Sequence, residues 1–443
     1  MANTFQTTSL IHKAVAFQWK AFEGFADRVT FRNDLLPSAV DNTGYSVQVR
    51  RPSRHKATAG AVNTDYSLPG VTQPTVGYSD MTDNVLPFTV SQRFETNLQV
   101  SMEELMFKLD KKDAMDRHIT PAIVDLRNQI NSYVAGYIEL FAGATMPSDG
   151  TSDGVISSIF KARANMISRA GINQQSDKTL LLNPTILPTL GLGSAKIFHA
   201  NAANTYAQGD FEPIAGFNLF ESPVLSTPSI TALGASLTAS IVAAGTATTA
   251  ANAATQWTQT TSVNVSGFTA SSTVKAGTKI RFRKGAGTGN YINWAVPSVA
   301  TATDAGYIAS FTLVADAVIA SDGTGVLVFS EPFVPGGDAK NVMSALVAGT
   351  TIVELAAVPE GTVLTSLPSI LRPSYAFGKE AIIIGSPEVA IPKGVSYGAN
   401  LKLGGFNIAL IEDHWPGTLQ NITKLVAFIA VAVPKPEAIT VLY

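Results

Sequence analysis

Stripes of apolar positions with different periods divide this chain into stretches. Ile11, Val15, Trp19, Phe22, Ala26 and Val29 recur at steps of three and four, which predicts an amphipathic helix over 9–31 with Ser9 as its N-cap. Packing on its own core and packing on a neighbouring subunit are equal readings of that helix. Tyr45, Val47 and Val49, and then Phe88, Val90, Phe94, Leu98 and Val100, alternate with polar residues and predict strands with one covered face. Between them, residues 52–86 hold Pro52, Gly60, Pro69, Gly70, Pro74 and Gly77 and almost no large aliphatics. So long a structureless loop is uncommon inside a compact domain. The pattern reads as a projecting two-stranded finger ordered by an adjacent subunit, with disorder as the alternative.

Ser101 and Glu104 form a capping box that predicts a helix start. A second start is Thr120-Pro121, after which Ile123, Leu126, Ile130, Tyr133, Tyr137 and Leu140 trace one apolar seam over about six turns. A further helix spans about 153–170, before Gly171. Leu180 to Leu182 read as a buried strand ended by Asn183-Pro184, and residues 214–223 as a hairpin. Strands are then predicted at 262–265, 279–283, 310–314, 326–329 and 351–355, with no helical pattern among them, which suggests a small β-barrel or sandwich over 226–372. After Pro373 the strands are 381–384, 401–403, 408–411, 425–433 and 438–442. The continuous apolar run of 425–433 predicts a strand covered on both faces.

Composition sharpens this picture. The 53 residues from Ser222 to Val274 contain no Asp, Glu, Lys or Arg, and their Ala, Thr, Ser and Val suit polar-faced β-structure. Only 14% of the chain is charged against 46% hydrophobic, so much neutral surface is left for neighbouring subunits to cover. The net charge of −2 speaks against a dedicated nucleic-acid binder. With no cysteine there are no disulfides, thiolate metal sites or Cys nucleophiles, as suits a reducing cytoplasm. The N-terminus lacks a signal-peptide pattern, and the longest apolar run, nine residues, falls short of the ~20 that cross a bilayer.

No catalytic, metal or cofactor constellation emerges. His12, His55, His118, His199 and His414 stand apart, and Glu412-Asp413-His414 before Trp415-Pro416-Gly417 reads as a surface turn rather than a dyad. The glycine clusters at 191–193 and 285–289 lack the spacing of a phosphate loop. One basic cluster stands out: Arg50, Arg51, Arg54, His55 and Lys56. It reads as a solvated face, as a set of ion-pair donors to a neighbouring subunit, or as a nucleic-acid contact. Glu103 and Glu104, with Asp110, Asp113 and Asp116, are the nearby acidic partners.

The order of these parts resembles the major capsid protein of tailed bacteriophages, the Hong Kong-97-type α+β fold, in its P-twenty-two-like branch with an inserted telokin-like β-domain. The similar segments are Leu181-Leu182-Asn183-Pro184, Ala215-Gly216-Phe217-Asn218, Ser222-Pro223-Val224-Leu225, Val274 through Phe282, and Pro436-Glu437-Ala438-Ile439. The resemblance implies an N-terminal helical arm at 1–44, an E-loop at 45–100, and a spine helix with a peripheral-domain helix at 101–171. It further implies an axial domain at 172–225 and 373–443 and the inserted domain at 226–372. It implies a non-enzymatic virion protein without cofactors, assembled in the host cytoplasm into hexamers and pentamers of a closed icosahedral shell. Scaffolding protein, portal and packaged double-stranded DNA would be its partners. The charged loop by which the family's inserted domain bridges capsomers has no counterpart, because the matching stretch carries no charge. The rival reading is an exported β-rich adhesin or glycan-binding surface protein.

Overall fold

The computed structural model describes residues 19, 25–36, 46–50, 85–101, 120–146, 152–170, 177–190, 214–222, 225, 239–244, 247–249, 258–284, 310–334, 351–355, 373–391, 394–395, 397–415 and 420–443. Trp19 is helical, but the predicted N-terminal helix does not continue to 31. Phe25–Arg28 form a 3₁₀ turn and β1 (Thr30–Phe31) is a strand. The three- and four-residue spacing of Ala26 and Val29 is also met by a tight turn that buries both. The backbone then leaves the helix because Thr30 and Arg32 donate N–H bonds to the carbonyls of Ile382 and Ile384. Tertiary pairing overrides the local period here.

β2 (Ser46–Arg50) pairs antiparallel with the start of β3 (Val85–Ser101), from Ser46 opposite Thr89 to Arg50 opposite Val85. Ser101, read as a helix cap, is the last residue of β3; the rest of that capping box, and segment 52–84, lie outside the described residues. α1 (Thr120–Phe141) follows the predicted seam through Ile123, Leu126 and Ile130, after which Val134 and Ile138 are buried and Tyr133, Tyr137 and Leu140 are half-buried. β4 (Ala144–Met146) and α2 (Ser152–Ala170) come next. β5 (Lys178–Leu182) ends where Asn183 caps a 3₁₀ turn, its side chain accepting from the Thr185 N–H. The predicted hairpin at 214–223 is instead a tight turn, Ile214 bridging Phe217, followed by β6 (Asn218–Glu221), which runs parallel to β5.

The inserted strands are β7 (Ala239–Ala244), β8 (Ala247–Thr249), β9 (Thr258–Ser266), β10 (Thr273–Val274), β11 (Lys279–Lys284), β12 (Ser310–Thr312), β13 (Ala317–Val318), β14 (Gly325–Phe333) and β15 (Thr351–Leu355). Six of them follow the order β12-β11-β15-β7-β9-β14. Leu313 bridges Phe329 and the Val314 N–H reaches the Val328 carbonyl at 3.0 Å, so the first and last strands meet and the sheet closes into a barrel. Its core is separate from that of the body and centres on Phe282, Phe311, Phe329 and Phe333, with ring centroids 5.2–6.2 Å apart.

The body is completed by β16 (Ser374–Gly378), β17 (Ile383–Gly385), β18 (Tyr397–Leu403), β19 (Phe406–Trp415), β20 (Gln420–Ala432) and β21 (Ile439–Leu442). β20 is flanked by β3 on one side and by β19 and β17 on the other. Its residues alternate between the main core (Leu425, Ala427, Ile429, Val431) and a satellite core (Ala430, Ala432), so both faces are covered, which accounts for its apolar run. Glu412, Asp413 and His414 are ladder residues of β19, opposite Thr423, Ile422 and Asn421, rather than a surface turn. The register of β20 carries the pairing past them to Trp415 and Gln420. A second sheet, β4-β21-β16-β5-β6, shares with the first, α1 and α2 one continuous hydrophobic core.

Candidate assembly elements

The ribbon of β2 and β3 is the feature most unlike a self-sufficient domain. β3 has 17 residues, and at ~3.3 Å per residue it extends over roughly 55 Å. Its second part, from Val90 to Ser101, lies in the body sheet against β20. Among the described residues, its first part pairs with β2 alone. At the point where ribbon meets body, a small satellite core gathers Leu36, Val49, Phe88, Ala430 and Ala432. Gly385 makes this junction possible: a Cβ there would stand 2.5 Å from Leu36 Cδ1 and 2.6 Å from Phe88 Cζ. The phenyl ring of the ribbon therefore rests on bare backbone.

Of the sequence-predicted site residues, Arg50 ends β2 opposite Val85. Arg51, Arg54, Lys56, Glu103 and Glu104 lie outside the described residues. Arg50 sits beside the first residue of β3, whereas Glu103 and Glu104 follow its last, Ser101, by two and three positions.

α1 lies beside β3 and carries a row of aromatic rings at i, i+4 and i+8. Tyr133, Tyr137 and Phe141 follow one another at 5.3 and 6.1 Å, and Phe94 of β3 meets Tyr133 at 5.6 Å. Tyr133 also exchanges a 2.5 Å hydrogen bond with Ser91. Burial pushes its hydroxyl up to about 12, so it stays protonated in any ordinary medium.

A second anchor, which sequence reasoning missed, fixes the N-terminal segment. Arg127 stands on the apolar seam of α1 between Ile123 and Ile130 and is buried. Its guanidinium pairs with Asp27, donates to the Trp19 carbonyl and lies 4.8 Å from the Trp19 ring centre. Trp19 and Phe31 both set their edges against Phe406, at 5.5 and 4.8 Å. Phe406 follows the Gly404-Gly405 turn of the β18–β19 hairpin, whose two positive φ angles suit a two-residue connection. A lone arginine at a seam position was the available signal. Trp19, Phe25, Ala26 and Val29 thus belong to the chain's own core.

Among the described residues no group of three or more His, Asp or Glu side chains could hold a metal ion, and no helix is long and apolar enough to cross a membrane.

No protein-family profile matches the chain, and no curated protein matches it. Several solved structures are similar to it. A structure from Mycobacterium phage Che8 is 9% identical over 95% of this chain and 91% of that one, with a TM-score of 0.43. The capsid structure of the cyanophage P-SCSP1u is 11% identical over 95% and 88%, with a TM-score of 0.44. The asymmetric unit of the mature capsid of bacteriophage PhiM1 is 7% identical over 95% and 86%, with a TM-score of 0.42.

Proposed function

We propose that this chain is the major capsid protein of a tailed phage, a non-enzymatic structural protein whose copies tile an icosahedral shell. The ribbon of β2 and β3 carries this reading. An isolated two-stranded ribbon is marginally stable at best in water, and three or more strands are needed for independence. A ribbon that leaves its own sheet at Val90 is well suited to lying across a sister molecule. The α+β body, its long helix beside the ribbon and its inserted barrel agree with the arrangement expected of the Hong Kong-97-type fold. The low charge supports it too, since many copies of a strongly charged chain would repel one another.

On this reading the basic cluster Arg50, Arg51, Arg54 and Lys56 pairs with Glu103 and Glu104 of a neighbouring subunit. The length of β3 favours partners in different copies, because within one copy the two groups attach to opposite ends of the strand. Residues 1–44 serve as the arm, 45–100 as the E-loop and 226–372 as the inserted domain. A scaffolding protein, a portal and packaged double-stranded DNA complete the particle, which assembles in the host cytoplasm. The test is expression of the full chain, gradient sedimentation and negative-stain microscopy. Uniform shells or rings of capsomers are expected. A persistent monomer that binds glycans would overturn the reading in favour of a surface adhesin.

A further inference from the structure

The barrel meets the body through a surface unlike the rest of the interior. In β11, Ile280 and Phe282 point into the barrel core, so strand alternation turns Lys279 and Arg281 outward, where charged side chains normally meet water. Both are instead only 1% exposed, and at Lys279 this outer face rests on the end of α1. Lys279 Nζ donates to the Glu139 carbonyl at 2.5 Å and to Thr312 Oγ1 at 2.6 Å, and the Ser330 hydroxyl donates to the Leu140 carbonyl at 2.7 Å. The last carbonyls of a helix have no partner within it, so the barrel supplies the cap. The charged group that acts on Lys279 is Glu139 of α1; Glu139 in turn acts on Tyr375 of β16 and on Tyr443 after β21, and Tyr443 also feels Arg281. Burial holds both tyrosines above their ordinary range, so neither ionises near neutrality.

We propose that the seat of the barrel on α1 is a proton-gated joint, in which Lys279 docks as a neutral amine and takes up a proton when the barrel leaves the helix end. Both hydrogen-bond acceptors at Nζ are uncharged oxygens, and an amine keeps two N–H groups, enough for both. Burial lowers the Lys279 ammonium to about 7, with Glu139 opposing the shift, whereas a solvated lysine titrates near ~10.4. The unseated form therefore binds more protons between those values. Seating strengthens as pH rises from about 7 towards 10, and it levels off at its weaker value below 7. A fall in pH from about 10 to 7 thus loosens the barrel without unfolding it, since the barrel has a core of its own.

Hydrogen exchange of the full chain, followed at residues 136–141 and 279–284 and corrected for intrinsic chemistry, reads the joint directly. Protection there is expected to rise at least about tenfold between pH 7 and 9.5 while that of the barrel core stays level. Lys279→Gln, which keeps a donor but cannot titrate, is expected to flatten the profile. A flat profile in the unaltered chain, or an equal slope in Lys279→Gln, overturns the proposal. Should that variant not fold, a side-chain NMR titration of Lys279 decides: a midpoint near 7 supports the joint and one near 10 refutes it.

Discussion

Two residues show how much of this structure rests on single contacts. Gly385 lets Phe88 and Leu36 close over bare backbone, and the buried ring of Phe88 has nowhere to move. Gly385→Ala is expected to destabilise the chain by about 1–3 kcal/mol through overpacking, read as a lower denaturation midpoint. Adding Phe88→Leu should recover part of that loss. Arg127 is the converse case, a charge whose removal strands its partner. Arg127→Met is expected to cost about 3 kcal/mol, at the low end for a buried pair because the Asp27 side chain is 18% exposed. In Arg127→Met with Asp27→Asn, a double-mutant cycle should return a favourable coupling between them; additive losses would show that the pair is not what holds the N-terminal segment.

At the scale of elements, the basic cluster and its proposed acidic partners can be tested by exchange. Arg50→Glu with Arg51→Glu should abolish particles on sedimentation while leaving the melting of the soluble subunit within about 0.5 kcal/mol. Glu103→Lys with Glu104→Lys in the same chain should restore them. Legibility in the sequence varied with the strength of local pattern. α1 was readable because Ile123, Leu126, Ile130, Tyr133, Tyr137 and Leu140 recur at helical spacing and nothing competes with that period. β7 and β8 were not, because β7 has only the adjacent pair Ile241-Val242 among small residues and β8 only Ala and Thr, so neither shows contrast between alternate positions. The strand of Lys279 and Arg281 was visible, but not their burial, since what covers them lies 140 residues away at Glu139. The N-terminal turn failed for a related reason: the carbonyls that recruit Thr30 and Arg32 belong to Ile382, just before β17, and Ile384 within it.

At the scale of the whole molecule, two cores meet across a polar joint. The barrel has a closed hydrogen-bonding circuit and its own aromatic centre. A fragment spanning 226–372 is expected to melt cooperatively on its own, as followed by near-ultraviolet circular dichroism. Its stability should also lose the pH dependence assigned to Lys279, because that side chain would then be solvated. Non-cooperative melting would mean that the barrel depends on the body.

The body has a different logic. β20 lies at the centre of one sheet and β21 between β4 and β16 in the other, so both layers close around residues 420–442. A nascent chain that has not reached those residues leaves β3 without its neighbour and β16 with an open edge. Neither layer can therefore shut before residues 420–442 have left the ribosome.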